Sequence, residues 1–123
     1  MCDTILCKGD EYMSRIQDNF KRGTTELLVL YLLQQEEMYG YQIVQTLQRK
    51  SGGRYVLLEG SLYLLLTKME ETGLISGRTE LVGKKRIRRY YKINQEGIDR
   101  YNSLIKDYDE VSRAVALILD REN

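Results

Sequence analysis

Gly83-Lys84-Lys85-Arg86-Ile87-Arg88-Arg89-Tyr90-Tyr91-Lys92 carries six cationic side chains and no acid. The 123-residue chain has a net charge of only +1, so everything outside this stretch sums to −5. Ile87, Tyr90, Tyr91 and the following Ile93 are β-branched or aromatic, which suits a strand. A basic β-ribbon on an otherwise acidic body is an electrostatic footprint for a nucleic-acid backbone. The same pattern also serves a solvated hairpin whose Lys and Arg guard an edge strand against aggregation. The flanking sequence weighs between these two readings.

Immediately upstream, Leu74-Ile75 leads into a partner strand that runs through Val82, with Gly83 and Lys84 at the turn. Before it, Ser61 to about Thr72 has Leu62, Leu65, Leu66 and Met69 at helical spacing, and Gly73 is its stop. Tyr55-Val56-Leu57-Leu58 is a short apolar run compatible with a small strand, and Glu59-Gly60-Ser61 turns the chain into the helix. A preceding helix opens at Tyr39-Gly40-Tyr41. It directs Ile43, Val44 and Leu47 inward and ends at Ser51-Gly52-Gly53. Leu27 to Leu33 is apolar throughout and predicts the most buried helix, with Gly23 as its N-cap and Glu26 in its first turn. Earlier still, Met13, Ile16 and Phe20 mark a short amphipathic helix.

Downstream, Asn94 is a strong N-cap for a last long helix. Ile98, Tyr101, Ile105, Tyr108, Val115 and Leu119 follow a near-heptad rhythm interrupted by Ser112, and Leu104, Val111 and Ile118 widen the stripe. That face exceeds what one small domain needs and reads as a surface for a partner helix. Phe20, Met13, Ile16, Ile105, Val111 and Val115 are the expected dimer-interface residues.

Three helices followed by a two-stranded ribbon define a winged helix-turn-helix. The fold class is therefore mainly α with a small β-hairpin, a winged helix-turn-helix plus a C-terminal dimerisation helix. The expected organisation is a tail and short helix at 1–20, the winged domain at 21–93 and the dimerisation helix at 94–123. The helix from Ser61 to Thr72 is the recognition helix, and Ser61, Tyr63, Leu64, Thr67 and Lys68 lie on its outward face. Ser61, Tyr63, Thr67 and Lys68 are the candidates for base contacts, a set short of Arg and Asn for direct reading. The wing must then supply much of the phosphate contact through Lys84, Lys85, Arg86 and Arg88, with Lys21 and Arg22 adding to it. For Tyr63 the alternative is packing between helix and wing; for Tyr39 and Tyr41 it is core packing.

Composition narrows the function. Apolar residues at 42% can fill one core, and charged residues at 30% suit a soluble surface. There is no His, and Cys2 and Cys7 stand without a second pair, so no zinc-ligand set, Ser-His pair or Cys-His pair can form. No phosphate-cradling Gly-rich loop is present. The reading is a non-enzyme with no cofactor and no metal. No apolar run is long enough for a membrane span and no signal peptide opens the chain, so the expected location is cytoplasmic. Ten of the eleven aromatic residues are Tyr, which suits interfaces and half-wet pockets.

Arg22-Gly23-Thr24, the run Leu27 to Leu33, Tyr39-Gly40-Tyr41-Gln42-Ile43, Gly53-Arg54-Tyr55, Gly60-Ser61-Leu62-Tyr63, Leu66, Met69-Glu70, Gly73-Leu74-Ile75, Arg89-Tyr90-Tyr91-Lys92-Ile93, Asn94 and Gly97 occur in one order with their spacings intact. Together they resemble the PadR family of bacterial transcriptional regulators over roughly Lys21 to Gly97. The resemblance implies a homodimer that represses transcription from a pseudo-palindromic double-stranded DNA operator. It also implies release by a small phenolic, aromatic or drug-like molecule. The single C-terminal helix resembles the short, multidrug-sensing branch. There an aromatic residue lines a pocket at the dimer centre, and the matching position is Tyr108, with Tyr101 on the same side. Two positions depart from the family pattern: Glu59 and Leu64 stand where Pro is usual. Glu59 favours a helix N-terminus yet opposes DNA there. The competing functional class is a winged-helix module that only joins proteins, using the faces Tyr12 to Phe20 and Tyr101 to Leu119. Six uninterrupted positive charges are unnecessary for that role.

Overall fold

The computed structural model describes residues 17–121. Met13 and Ile16, Cys2 and Cys7 lie outside that range. Residues 17–21 are helical. Helix α1 (Thr25–Gln35), strand β1 (Met38–Tyr39), helix α2 (Gly40–Lys50), helix α3 (Glu59–Glu71), strands β2 (Ile75–Val82) and β3 (Arg86–Ile93) and helix α4 (Gln95–Ile118) follow. This is the expected helical domain with a wing and a long C-terminal helix.

α1 is the central helix, as its unbroken apolar run predicts: Leu27, Val29, Leu30, Leu32 and Leu33 are all buried. Its N-cap position is Thr24, not Gly23. The hydroxyls of Thr24 and Thr25 donate back to the Lys21 carbonyl, and both meet the Tyr55 hydroxyl at 2.9 and 2.7 Å. That attachment also explains why Tyr55-Val56-Leu57-Leu58 forms no strand. The segment is strapped to the start of α1, and the Lys21 ammonium donates to the Val56 carbonyl at 2.7 Å.

α2 buries Ile43 and Leu47 as expected, together with Thr46, whose hydroxyl satisfies itself on the Gln42 carbonyl at 2.7 Å. α3 buries Leu62, Leu66 and Met69. It begins at Glu59, two residues before the Ser61 expected from sequence. Glu59 therefore occupies the first turn, where a carboxylate opposes the exposed positive end of the helix dipole.

The sheet has one strand more than the expected hairpin. Its order is β1-β3-β2, antiparallel throughout, with Met38 opposite Tyr91 and Tyr39 opposite Tyr90. Within the wing, Ile75 pairs with Ile93 and Val82 with Arg86. Gly83 turns the ribbon with φ of 72°, a conformation that costs a residue with a Cβ. The strand pairing sets one ribbon face as successive rungs: Ile75/Ile93, Gly77/Tyr91, Thr79/Arg89 and Leu81/Ile87. The first two rungs are packed into or against the core and the last is exposed.

α4 joins this body through a tight seam. Asn94 is the N-cap residue, but its side chain does not cap the helix. It donates instead to the Gly73 carbonyl at 3.0 Å and accepts from the Ser76 hydroxyl at 2.9 Å, while its backbone N–H donates to the Leu74 carbonyl. One turn on, Gly97 is buried so closely that a Cβ would overlap the Leu74 carbonyl oxygen and the Ile93 side chain. Arg100 pairs with Glu26 of α1 at 2.9 Å, and Tyr101 stacks beside Tyr31 at 6.1 Å. Beyond Ile105, the apolar residues Tyr108, Val111, Val115, Ile118 and Leu119 are exposed on the chain taken alone.

Candidate nucleic-acid interface

The outward face of α3 has the residues that its helical period places there. Ser61, Tyr63, Leu64, Thr67 and Lys68 are all exposed. The Thr67 hydroxyl donates to the Tyr63 carbonyl at 2.9 Å, one turn back on the same helix. Between the first turns of α2 and α3 and the inner side of the wing lies a cleft of about 540 Å³. Tyr41 and Tyr63 line it from the two helices, Tyr39 from β1, and Arg86, Ile87, Arg88, Arg89 and Tyr91 from β3 of the wing. Glu59 is the acid on its wall.

The wing cations divide into two groups. Lys84 and Lys85 lie in the turn and Arg86 opens β3; all three are exposed, and none takes part in an ion pair among the described residues. Further down the ribbon three arginines are engaged. The Arg88 guanidinium lies 4.3 Å from the centre of the Tyr39 ring. Arg89 pairs with Glu70 near the end of α3, which raises its pKa further above the usual arginine value. Arg78 on β2 bridges Glu37 at 2.8 Å and Glu80 at 3.1 Å, and its guanidinium holds the Glu37 carboxyl below the usual carboxylate value. Lys84, Lys85 and Arg86 thus place three unpaired cations together at the outer end of the ribbon, while Lys92, exposed near its inner end, is also outside any ion pair among the described residues.

Lys21 and Arg22 do not join that group. The Lys21 side chain is only 18% exposed, with its ammonium on the Val56 carbonyl and 3.4 Å from Asp18. Arg22 is exposed and donates to Asn19 at 3.3 Å. The core-packing expectation for Tyr41 also fails: its ring is half exposed on the cleft wall. Tyr39 is partly buried, held edge-on against Tyr90 at 5.4 Å.

The family model for the transcriptional regulator PadR-like family matches residues 29–103, from the middle of α1 to the first turns of α4. The chain belongs to this family. PadR-like proteins are transcriptional regulators, not enzymes, and the fold described above is the winged-helix DNA-binding fold of that family. Solved structures agree. A PadR family regulator from Eggerthella lenta superposes with a TM-score of 0.79 at 26% identity, over 94% of this chain and 99% of that one. A PadR-like regulator from Bacillus cereus gives 0.70 at 30% identity, over 85% and 99%. Bacillus subtilis PadR, solved in complex with operator DNA, shares the fold with a TM-score of 0.61 at 24% identity, over 65% of this chain and 45% of that one.

In this PadR-like chain the two candidate ligand residues come together. Tyr101 and Tyr108 line one groove of about 400 Å³ between α1 and α4, with Leu27, Leu28, Ile105 and two further tyrosines, Tyr31 and Tyr55. Sequence reading missed Tyr31. The signal was present as the one aromatic residue in an otherwise aliphatic run. Phe20, Tyr108, Val111 and Val115 border a second groove along α4, so three expected interface residues also converge. No helix of the described residues is long and apolar enough to cross a membrane, and among those residues no cluster of His, Cys, Asp or Glu could hold a metal ion.

Proposed function

We propose that this PadR-like regulator is a homodimeric repressor that binds operator DNA through α3 and the wing. The observation that carries this reading is the placement of unpaired cations. Lys84, Lys85 and Arg86 stand at the wing tip, beside a cleft whose opposite wall is the exposed start of α3. A recognition helix inserts that end into the major groove. Ser61, Tyr63, Thr67 and Lys68 then address base edges, while the wing cations and Arg88 hold phosphates, which position the protein without reading sequence. Residues 21–93 form the DNA-binding unit and 94–123 the dimerisation unit. The exposed apolar side of α4, with Phe20, is the surface that a second copy covers. Two recognition helices in such a dimer address half-sites about one helical turn apart or a multiple of it. The Bacillus subtilis neighbour bound to operator DNA supports the same use of the fold.

The groove between α1 and α4 is the proposed site for a planar aromatic or cationic aromatic inducer. Tyr31, Tyr101 and Tyr108 offer ring faces, and offset stacking adds roughly 0.5–1.5 kcal/mol per contact beyond burial. Such a ligand weakens DNA binding only by favouring a subunit arrangement unlike the DNA-bound one.

Electrophoretic retention of a duplex carrying the chain's own promoter tests the DNA reading. Retention that survives excess mixed-sequence competitor is expected; failure to retain the fragment at low salt overturns it. Titrating planar cationic dyes while following Tyr fluorescence tests the groove. Saturable binding that is lost in Tyr108→Ala is expected, and binding unchanged by that substitution removes Tyr108 from the site.

A further inference from the structure

Leu81 and Ile87 face each other directly across the outermost inward rung of the wing, and they are 65% and 69% exposed. Two large apolar side chains at the free end of a ribbon are a cost unless something covers them. Nothing among the described residues does. The row they continue is packed through its first two rungs, then reaches Arg89 on Glu70, and then overhangs the body. Ile87 is on the wall of the cleft that faces Tyr63. Glu80 and Val82 flank Leu81, and Arg86 and Arg88 flank Ile87; the Glu80 carboxylate is taken up by Arg78, whereas Lys84, Lys85 and Arg86 at the ribbon end are exposed and outside any ion pair among the described residues.

An apolar pair next to three free cations fits a polyanion that also presents apolar surface at its rim. Duplex DNA does so: deoxyribose rings line the minor-groove walls between successive phosphates. With α3 in the major groove, the strand separating the two grooves passes through the cleft, and the inward face of the wing meets its sugars. From this juxtaposition we infer that Leu81 and Ile87 pack on the deoxyribose wall of the minor groove while the neighbouring cations hold the phosphates on either side. The inference rests on the DNA-binding reading and adds to it a contact that is neither electrostatic nor base-specific. Such a contact contributes equally on every sequence and does not weaken with salt, unlike counterion release.

The test compares wild type, Leu81→Thr/Ile87→Thr and Lys85→Ala/Arg86→Ala on one mixed-sequence duplex across a salt series. Thr keeps β propensity at exposed strand positions, and thermal unfolding checks that each variant is folded. For the threonine variant, log affinity against log salt should run parallel to wild type but about tenfold lower. The alanine variant should change the slope. Hydroxyl-radical cleavage, which attacks deoxyribose from the minor groove, should show sugar protection in wild type that the threonine variant loses. Unchanged affinity and protection in that variant, with the alanine variant still impaired, overturns the sugar contact alone. No binding by the wild type at low salt overturns the DNA reading with it. A changed molecular mass of the threonine variant in sedimentation overturns the inference in favour of a protein interface at the wing tip.

Discussion

Lys85 and Arg86 differ from Arg89 by only a few positions, yet their surroundings give them different work. The first two stand in water at the ribbon tip, and Arg89 is held by Glu70. If about three wing cations per subunit meet phosphates, a dimer neutralises about six and the log–log salt slope is near −5. Lys85→Ala/Arg86→Ala should weaken binding to all sequences and bring that slope to about −2; fluorescence anisotropy at several salt concentrations measures it. Tyr91 makes a prediction about stability. Burial, and then the neighbouring Tyr63, raise its phenol above the ordinary value of 10.0. The folded state thus holds the proton more tightly than the unfolded chain. That stabilisation is complete below the unfolded pKa and is lost as pH rises through the folded one. Urea unfolding at about pH 9 and about pH 11 should show a fall in wild type that is smaller in Tyr91→Phe.

At the scale of elements, wing and recognition helix share the core through Leu66, Met69, Ile75 and Tyr91, and one charged side chain ties them at the surface. Arg89 lies over Gly77 on the facing strand, where an added Cβ would come within 2.6 Å of its guanidinium, and over the ring of Tyr91 at 5.8 Å, before it reaches Glu70. The pair is partly solvent-exposed, so Glu70→Gln should cost only about 0.5 kcal/mol of stability. Its effect on DNA should be larger, a several-fold loss of affinity with the salt slope unchanged, because the cations remain but the wing loses its surface tie to α3. Gly77→Ala should act in the same direction by displacing Arg89. A slope change in Glu70→Gln would place Arg89 among the phosphate contacts instead. The elements themselves were largely legible. The all-apolar Leu27 to Leu33, the helical stripe of α3 and the β-branched and aromatic residues of the basic strand each carry a local signal. β1 did not, because two residues have no period, and its pairing is visible only once Tyr90 and Tyr91 are in place. The start of α3 was misread at Gly60, which usually breaks a helix but here lies in its first turn, where no Cβ contact is required. Of the candidate site, the exposed faces of α3 and the wing followed from spacing. The diversion of Lys21 to Val56 and the exposure of Tyr41 did not, because both depend on contacts distant in sequence.

For the whole molecule, α4 carries an apolar stripe that is exposed among the described residues. Val111 and Val115 lie on it at 63% and 47% exposure. Burial at about 25 cal/mol per Å² makes a second copy of the same stripe a strongly favourable cover. Val111→Glu/Val115→Glu should shift the chain to monomer in analytical ultracentrifugation and halve the salt slope of DNA binding. A variant that remains dimeric would move the interface elsewhere.

The seam at Gly97 has a mechanical consequence. It is a fulcrum without play: the helix is pressed onto the backbone of Leu74, and that carbonyl is itself pinned by the N–H of Asn94. α4 is 24 residues long, so with a rise of about 1.5 Å per residue its far end stands about 32 Å from this pivot. A tilt of about 5° moves that end by about 3 Å, and the same lever run backwards converts a coarse displacement between subunits into a fine adjustment of the winged head. In the proposed dimer, the gearing between subunit spacing and the winged head is therefore set by the seam that Gly97 begins and Arg100 and Tyr101 continue.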